Sequence, residues 1–357
     1  MTDLRLFRPV LRFGLGLLLA CLAWQAQAGL MELNTAQATV TVDGQTTQQA
    51  VSLPYHWDRL HLAQPGRAVF DIPFHLPQPL AEPYAAYFSR IGTAYEVWIN
   101  DVLIARGGEL EDTNGSDMSK APRLISIPPQ LLRTENLLRI HLRADANRRS
   151  GLSTVLLGAQ SEVEVPYLKA YRWRVVNSLV IAIISLCAGA LAFGLWLTQP
   201  GQAAGVQRDP LYWLVGVAGL AWALRVGESV IERPVFPWPW WGVVMALSYV
   251  VWVSCTGLFC HLVMRPIASR AYLLALFCLV SGVSVAGLAL VSGQPWAWQA
   301  WTVWLGVLAL WFVGYGFWYA WRTRLEPSVE RWIITGAIFL ANAAGVRDLR
   351  AVTLSGD

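Results

Sequence analysis

Alternating apolar and polar positions dominate the chain between residues 29 and 170. Pro, Gly, Asn and Asp separate the alternating segments, and Asn100-Asp101 indicates the tight turn of a hairpin. Several short strands with turn signals between them predict an antiparallel β-sandwich. The segments with period-two alternation and β-branched or aromatic residues are Gln37–Val42, Arg67–Phe74, Ala85–Ile91, Tyr95–Ile104, Arg123–Ile127 and Asn136–Arg143.

Continuous apolar runs replace this alternation in residues 171–357. Helices are expected there, because backbone polar groups inside a bilayer must be satisfied within the segment itself. The sixth run is marginal against the roughly 20 residues that a crossing needs. The fold class is therefore mixed, with an exported antiparallel β-sandwich followed by an all-α polytopic membrane bundle of about six helices. The predicted spans are 175–198, 211–231, 241–264, 271–292, 296–321 and 332–348.

Residues 1–28 have the pattern of a secretory signal peptide. A basic start precedes the apolar run Phe13–Trp24, and Ala26-Gln27-Ala28 supplies a cleavage site of the small-x-small type. A lipoprotein signal ending at Cys21 and an uncleaved anchor helix are the alternatives. In each case residues 29–170 are expected to be exported.

Composition and charge also indicate a membrane protein. Hydrophobic residues make up 55% of the chain and charged residues 14%, against about 25% charged in average soluble proteins. With residues 29–170 outside, the outer connections hold only Arg233, which fits the positive-inside rule. A nucleic-acid partner is not expected. The predicted inner loops hold Arg208, Arg265, Arg270, Arg322, Arg324 and Arg331.

Four side chains of the exported domain are candidates for ligand contact: Trp57, Arg90, Arg106 and Asp112. An aromatic ring with arginine and an acid near the edge of a sandwich can hold a sugar or a carboxylate. A core position is the alternative for Trp57, and Trp98, in the middle of a strand, is expected in the core.

The exported domain shows no catalytic motif. The acids of Glu109–Asp117 favour a solvated loop over a calcium site, because their spacing matches no EF-hand. Its histidines have no metal-ligand spacing. We therefore expect that the chain is not an enzyme and that it uses neither a metal nor another cofactor.

Charged residues near the outer ends of the second and sixth spans form a candidate polar cluster. Arg225, Glu228 and Glu232 follow one another on one helix face, and Arg347 and Asp348 lie at a similar depth. A lone charge there costs roughly 2–3 kcal/mol or more, so we predict the pairs Arg225–Asp348 and Arg347–Glu228. The alternative is that Glu228 and Arg347 reach the outer headgroups.

The exported domain resembles the galactose-binding-like jelly roll that family-two glycoside hydrolases carry ahead of their catalytic barrel. The resemblance implies a jelly-roll fold for the sandwich and a module that often carries no catalysis. It rests on LPYHW (Leu53–Trp57), GRAVFDIPFHLP (Gly66–Pro77), YEVWINDVLIARGG (Tyr95–Gly108), ISIPPQLL (Ile125–Leu132) and ENLLRIHLRA (Glu135–Ala144).

The whole architecture resembles the bacterial seven-transmembrane receptors with diverse intracellular signalling modules (7TMR-DISM). The supporting motifs are RVGESVIERP (Arg225–Pro234) and NAAGVRDL (Asn342–Leu349). Within residues 1–357 we expect neither the seventh helix nor the output domain of that family. The resemblance implies the input half of a receptor that relays a signal to a histidine kinase or diguanylate cyclase. It also implies a bacterial inner membrane, with the N-terminal domain in the periplasm. The expected partners are the lipid bilayer and a periplasmic ligand, which is either a small molecule such as a carbohydrate or a protein. A second copy of the chain, in a homodimer, is a further expected partner. A membrane transporter or transport accessory protein with a carbohydrate-binding-like exported domain is the alternative.

Overall fold

The computed structural model describes residues 30–62, 64–76, 83–113, 115–146, 148, 150–200, 208–264, 270–294 and 296–353. The predicted signal peptide lies outside these residues. The chain divides into two compact units. The first contains the residues up to Gly107 and Pro122–Ala170, and the second contains Gly108–Ala121 and the residues from Tyr171 onward.

The described part of the first unit is built from antiparallel strands. The strands are β1 Met31–Leu33, β2 Thr35–Val42, β3 Gln45–Ser52, β4 Tyr55–His56, β5 Gly66–His75, β6 Tyr84–Phe88, β7 Ala94–Ile99, β8 Val102–Gly107, β9 Arg123–Ile127, β10 Glu135–Ala144, β11 Gly151–Leu152 and β12 Val155–Ala159. A six-stranded sheet has the order β3-β2-β5-β10-β7-β8, a four-stranded sheet has the order β1-β12-β6-β9, and β4 pairs with β11.

Strand β10 shows how alternation builds the core. Leu138, Ile140 and Leu142 are fully buried, whereas Arg139 and His141 between them remain partly exposed. Successive side chains of a strand point to opposite faces, so one face of the six-stranded sheet forms the core and the other stays polar. The four-stranded sheet contributes fully buried side chains from its own strands, among them Phe88 and Ile127. The predicted β-sandwich is therefore confirmed.

Two-residue turns close two of the hairpins. Asn100 and Asp101 join β7 to β8 with φ values of 47° and 67°, which confirms the predicted turn. Asp43 and Gly44 join β2 to β3 with φ values of 49° and 76°. Positive φ at both central residues is typical of the type I′ turn, whose twist matches that of the flanking strands.

Helices make up most of the second unit. A single turn, α1 Trp57–Leu60, belongs to the first unit, and α2 Gln160–Thr198 begins there and continues into the second. A π-helical turn, Arg172–Val176, interrupts α2. The remaining helices are α3 Pro210–Gly227, α4 Trp240–Val263, α5 Arg270–Val291, α6 Ala297–Leu325 and α7 Val329–Thr353, with a 3₁₀ turn Glu228–Val230 after α3.

Four helices of the described chain are long and apolar enough to cross a membrane, namely α2, α3 with its following turn, α4 and α6. The apolar part of α5, Leu276–Val291, is shorter. Six helices thus follow the sandwich in the described residues, which confirms the mixed fold class, and crossing by α5 and α7 stays a prediction.

Glycines allow α2 and α3 to approach each other closely. A Cβ atom on Gly189 would lie 2.9 Å from the backbone nitrogen of Leu220 and 3.0 Å from the carbonyl oxygen of Gly216. A Cβ on Gly219 would lie 2.8 Å from the Cα of Gly189. Small residues at such positions permit backbone-to-backbone packing in membrane helices.

Candidate functional site

Trp57 lies in the core of the sandwich. Its side chain is 0% exposed, its Nε1 donates to the carbonyl oxygen of Gln64 at 2.9 Å, and its ring centroid lies 4.5 Å from that of His61. Gly66 approaches the ring so closely that a Cβ there would lie 2.5 Å from Trp57 Cζ2. The ring therefore presents no face to a ligand. Trp57 occupies a core position, which the sequence analysis gave as the alternative to ligand contact.

Arg90 lies between β6 and β7, next to the segment that contains β11. Its backbone nitrogen donates to Ser153 Oγ at 3.2 Å, and its carbonyl accepts from the backbone nitrogen of Ser153 at 3.0 Å. The structure thus shows Arg90 tying two segments of the sandwich together through its main chain. Ligand contact by its side chain stays a prediction.

A buried ionic cluster, which the sequence analysis missed, forms around Asp145. The side chains of Arg143 and Asp145 are each 2% exposed, and Arg143 Nε lies 3.0 Å from Asp145 Oδ1. Arg148 Nη1 lies 3.5 Å from the other carboxylate oxygen. Removing one member would leave uncompensated charge in the interior, so we assign the cluster a structural role.

Arg106 takes part in a polar arrangement on the outer face of the six-stranded sheet. It pairs with Glu96, whose carboxylate oxygen lies 2.7 Å from Arg106 Nη2 and is directly opposite in the strand register. Glu96 in turn lies opposite His141 of β10. Trp98 Nε1 donates to Glu96 Oε2 at 3.3 Å, and the Trp98 and His141 ring centroids are 6.0 Å apart.

Trp98 therefore lies on the outer face and is partly exposed, so its expected core position is wrong. The reason is strand parity, because Trp98 is opposite Arg139 in the register while the core residues Val97 and Ile99 are opposite Ile140 and Leu138. Alternation within β7 thus turns Trp98 away from the core.

Two arginine–carboxylate pairs flank Trp98. Besides the Arg106–Glu96 pair, Arg139 Nε lies 2.7 Å from Asp71 Oδ1, and Arg139 Nη1 lies 3.4 Å from Asp101. The hydrogen bond to Asp71 raises the pKa of Arg139, so the guanidinium stays charged. We call this surface the Trp98 face; it consists of Asp71, Glu96, Trp98, Arg106, Arg139 and His141.

The Trp98 face combines an aromatic ring with paired donors and acceptors. An indole ring can pack against the apolar C–H surface of a ligand, while arginine and carboxylate groups bind hydroxyl or carboxylate groups at its edge. Of the four predicted ligand residues, only Arg106 lies on this face. Asp112 belongs to the second unit, where its carboxylate lies over Gly115.

The segment Gly108–Ala121, which joins β8 to β9, packs with the helices of the second unit. Lys120 Nζ lies 2.6 Å from Glu228 Oε1 and donates to the carbonyl oxygens of Ile231, at 2.8 Å, and Glu228, at 3.3 Å. The backbone nitrogen of Asp117 donates to the carbonyl of Glu232 at 2.8 Å. We call these contacts the Lys120 anchor.

The Lys120 anchor is largely closed to solvent. The exposed fraction is 11% for the Lys120 side chain and 22% for the Glu228 side chain. A lysine at this place donates to carbonyl oxygens beyond the end of α3 and complements the negative end of the helix dipole. The sequence analysis missed Lys120. A signal was present, since Lys120 and Lys169 are the only lysines in a chain with 27 basic residues.

The predicted membrane polar cluster is described only in part. Arg225 Nη1 lies 3.7 Å from Glu228 Oε2, so these two residues interact along one helix face. Glu232 contributes its carbonyl to the Lys120 anchor. The side chains of Arg347 and Asp348 on α7 lie outside the described residues, and the pairs Arg225–Asp348 and Arg347–Glu228 stay predictions.

In the described residues, no group of three or more His, Cys, Asp or Glu side chains could hold a metal ion.

No protein-family model and no curated protein matches this chain. Among solved structures, the chain is similar to a GH2 β-galacturonidase from Eisenbergiella tayi, with 11% identity, a TM-score of 0.28, and coverage of 37% of this chain and 24% of that chain. It is also similar to an FMN-binding β-glucuronidase from Facaelibacterium prausnitzii L2-6, with 18% identity, a TM-score of 0.28, and coverage of 36% and 22%.

The chain thus spans about a quarter or less of the length of these two enzymes, and a likeness at these scores carries no argument about activity. The strands and helices of the chain define its class by themselves. It is a membrane protein that joins an N-terminal antiparallel β-sandwich to a set of apolar helices.

Proposed function

We propose that this chain is the input half of a bacterial transmembrane signalling receptor of the 7TMR-DISM type. In this proposal it lies in the inner membrane with the sandwich in the periplasm. The sandwich receives a small molecule, such as a carbohydrate, or a protein, and the helices relay the change to a histidine kinase or diguanylate cyclase output. The chain itself performs no catalysis and uses no metal or cofactor.

The Lys120 anchor is the observation that carries this proposal. The chain leaves strand β8 at Gly107, binds the end of α3 through Lys120, and enters strand β9 at Arg123. Two strands of the sandwich are therefore covalently joined to a short segment that is held by the helices. A displacement of either strand acts on this segment within a few residues.

The strength of the Lys120 anchor suits a relay. Hydrogen bonds to charged groups contribute about 1.5–3 kcal/mol, and Lys120 makes its contacts in a site that is largely closed to solvent. Coupling free energies between linked sites are typically about 1–3 kcal/mol. Strengthening or weakening this one set of contacts is therefore enough to couple the sandwich to the end of α3.

Hydrogen–deuterium exchange on the full chain in nanodiscs tests the relay. The probes are D-galactose, N-acetyl-D-glucosamine and D-glucuronate. A sugar that binds is expected to protect β7 and β10 and also to change exchange in residues 225–233. The change in residues 225–233 should disappear in Lys120→Met, while protection of the strands persists.

Lys169→Met is the matched control, because it removes the other lysine, which is exposed on α2. This variant should behave like the wild-type chain. Protection of the strands without any change in residues 225–233 of the wild-type chain would contradict the relay. Absence of protection by all three sugars would exclude these three sugars as the ligand and leave another small molecule or a protein.

A further inference from the structure

Strand β3 forms one edge of the six-stranded sheet, and no strand lies beyond it in the described part of the chain. It pairs with β2 along all eight of its residues, from Gln45 opposite Val42 to Ser52 opposite Thr35, without a bulge. Its sequence is QTTQQAVS, and seven of the eight residues are exposed. An edge strand presents unpaired N–H and C=O groups that can template pairing with another strand.

The hairpin that carries β3 is firmly held. The turn at Asp43-Gly44 is fixed by a hydrogen bond from Gln64 Nε2 to Asp43 Oδ2 at 3.1 Å. Across the two strands, the Oγ1 atoms of Thr41 and Thr46 lie 3.0 Å apart. The edge of β3 is therefore presented as a regular, extended strand.

The other three edges of the two large sheets carry features that hinder pairing, whereas β3 carries none. Strand β8 has a bulge at Ile104 and a charged residue, Arg106. Strand β1 has only three residues. Strand β9 begins at Arg123 and is followed by Pro128-Pro129. Natural sheets protect their edges with such charges, prolines, bulges or short strands.

We propose that β3 pairs in antiparallel fashion with β3 of a second copy of this chain, which joins the two six-stranded sheets into one continuous sheet. Residues that face each other in an antiparallel pair must both point their backbone groups toward the partner or both point them away. In a twofold pair of identical strands, facing residues can have the same orientation only if one residue lies opposite its own copy. In the two central registers of β3 this residue is Gln48 or Gln49.

A second copy is the partner that matches this edge. In the register centred on Gln48, Thr47 lies opposite Gln49, Thr46 opposite Ala50 and Gln45 opposite Val51, so no charge is buried and no like charges meet. Among the described edges of the large sheets, β3 is both the longest and the one without charge. A second copy of β3 thus supplies an edge strand of the same length that also carries no charged residue.

The size of the contact predicts where the dimer forms. The register centred on Gln48 gives about six backbone hydrogen bonds between the copies. An edge contact without side-chain pockets lies below the roughly 1,200–2,000 Å² of a stable soluble interface. Confinement of both copies to one bilayer raises their effective concentration, so the pairing is expected in membranes and weak in dilute detergent.

Disulfide cross-linking of the full chain in liposomes tests the pairing. Gln48→Cys and Gln49→Cys are prepared separately and oxidised with copper phenanthroline, and a dimer that is reversed by reductant is measured on a gel. At least one of the two variants is expected to form it efficiently. Val102→Cys, on the exposed edge strand β8, is the matched control, and the unmodified chain reports the background from the native cysteines.

A charge variant provides a second measurement that does not depend on cysteine reactivity. Gln48→Lys with Gln49→Lys places like charges opposite each other in both registers, which should abolish energy transfer between donor- and acceptor-labelled chains in liposomes. Val102→Lys should leave it unchanged. Cross-linking no stronger than in Val102→Cys, or energy transfer that persists in the double lysine variant, would overturn the proposal. The relay through Lys120 does not depend on this pairing, so each can fail without the other.

Discussion

At the scale of single residues, burial separates two tryptophans of the sandwich. Trp57 is fully enclosed and hydrogen-bonded, so Trp57→Ala should lower the free energy of unfolding by about 3–5 kcal/mol. Trp98 is partly exposed on the outer face, so Trp98→Ala should cost clearly less, about 1 kcal/mol. Thermal unfolding followed by circular dichroism compares the two variants, and equal losses would contradict the assignment of the two faces.

A second residue-scale prediction concerns the pH dependence of stability. Burial lowers the pKa of His61, whose Nε2 lies 2.7 Å from the Tyr55 hydroxyl. The unfolded chain binds this proton near the ordinary pKa of about 6.5, whereas the folded chain binds it only at lower pH. Stability from neutral His61 is therefore present above about pH 6.5 and is lost as the pH falls through the lowered folded pKa.

The midpoint temperature of thermal unfolding should therefore decrease when the pH is lowered from 7 to 5, and His61→Gln should make this decrease smaller. The control is His75→Gln, which alters an exposed histidine beside Glu135. An identical pH dependence in His61→Gln and the wild-type chain would show that His61 does not contribute.

The residue scale also shows what alternation can and cannot predict. The order Tyr95-Glu96-Val97-Trp98-Ile99 places Trp98 on the same face as Glu96, so its outward position was readable from the sequence. Trp57 lies in a single helical turn after a two-residue strand, and elements this short show no periodic pattern of apolar and polar residues. Its burial depends on the approach of Gly66 from another strand, which the local sequence does not contain.

At the scale of elements, the prediction succeeded where apolar residues alternate and failed where they are absent. Strands β5, β9 and β10 were predicted close to their observed bounds, and the predicted segment Tyr95–Ile104 covers most of β7, the turn and the first half of β8. Strand β3 was missed, because its polar sequence QTTQQAVS has no apolar face, although Asp43-Gly44 is a strong turn signal. Helix α2 begins at Gln160, 15 residues before the predicted span, because hydropathy detects only its membrane part.

Packing of α2 against α3 gives a prediction at this scale. Gly189→Ala should destabilise the helices by about 1–3 kcal/mol, because the new Cβ would collide with the backbone of α3. Gly194 on the same helix has nothing within 4 Å of its Cβ position, so Gly194→Ala should be neutral or stabilising by up to about 1 kcal/mol. The measurement is thermal unfolding in detergent. A Gly189→Ala chain as stable as Gly194→Ala would show that the helices can separate without cost.

At the scale of the whole molecule, the order of the sandwich and the helices was predictable, because alternation and continuous apolar runs are both local signals. The assignment of Gly108–Ala121 to the helical unit was not predictable. Its acids indicated a solvated loop, and the contact of Lys120 with Glu228 joins residues that are 108 positions apart in sequence. Such long-range contacts leave no period in the sequence.

The orientation of the helices gives the last prediction. With the sandwich outside, the turn between α5 and α6 at Gln294 should face the periplasm, and the turn between α6 and α7 should face the cytoplasm. The second turn is rich in positive charge, and Arg322 and Arg331 both pair with Glu326, at 3.6 Å and 2.9 Å. Arginine near helix ends favours the cytoplasmic side.

Cysteine labelling with a membrane-impermeant maleimide measures this orientation in cells whose outer membrane has been permeabilised. Gln294→Cys should be labelled at once, whereas Val329→Cys, at the exposed start of α7, should be labelled only after lysis. The unmodified chain controls for the native cysteines, all of which among the described residues lie within helices. The opposite labelling pattern would contradict the predicted arrangement, because either the sandwich would lie in the cytoplasm or α5 would not cross the membrane. Labelling of both variants before lysis would mean that an even number of crossings separates the two positions, so that α6 does not cross the membrane despite its length.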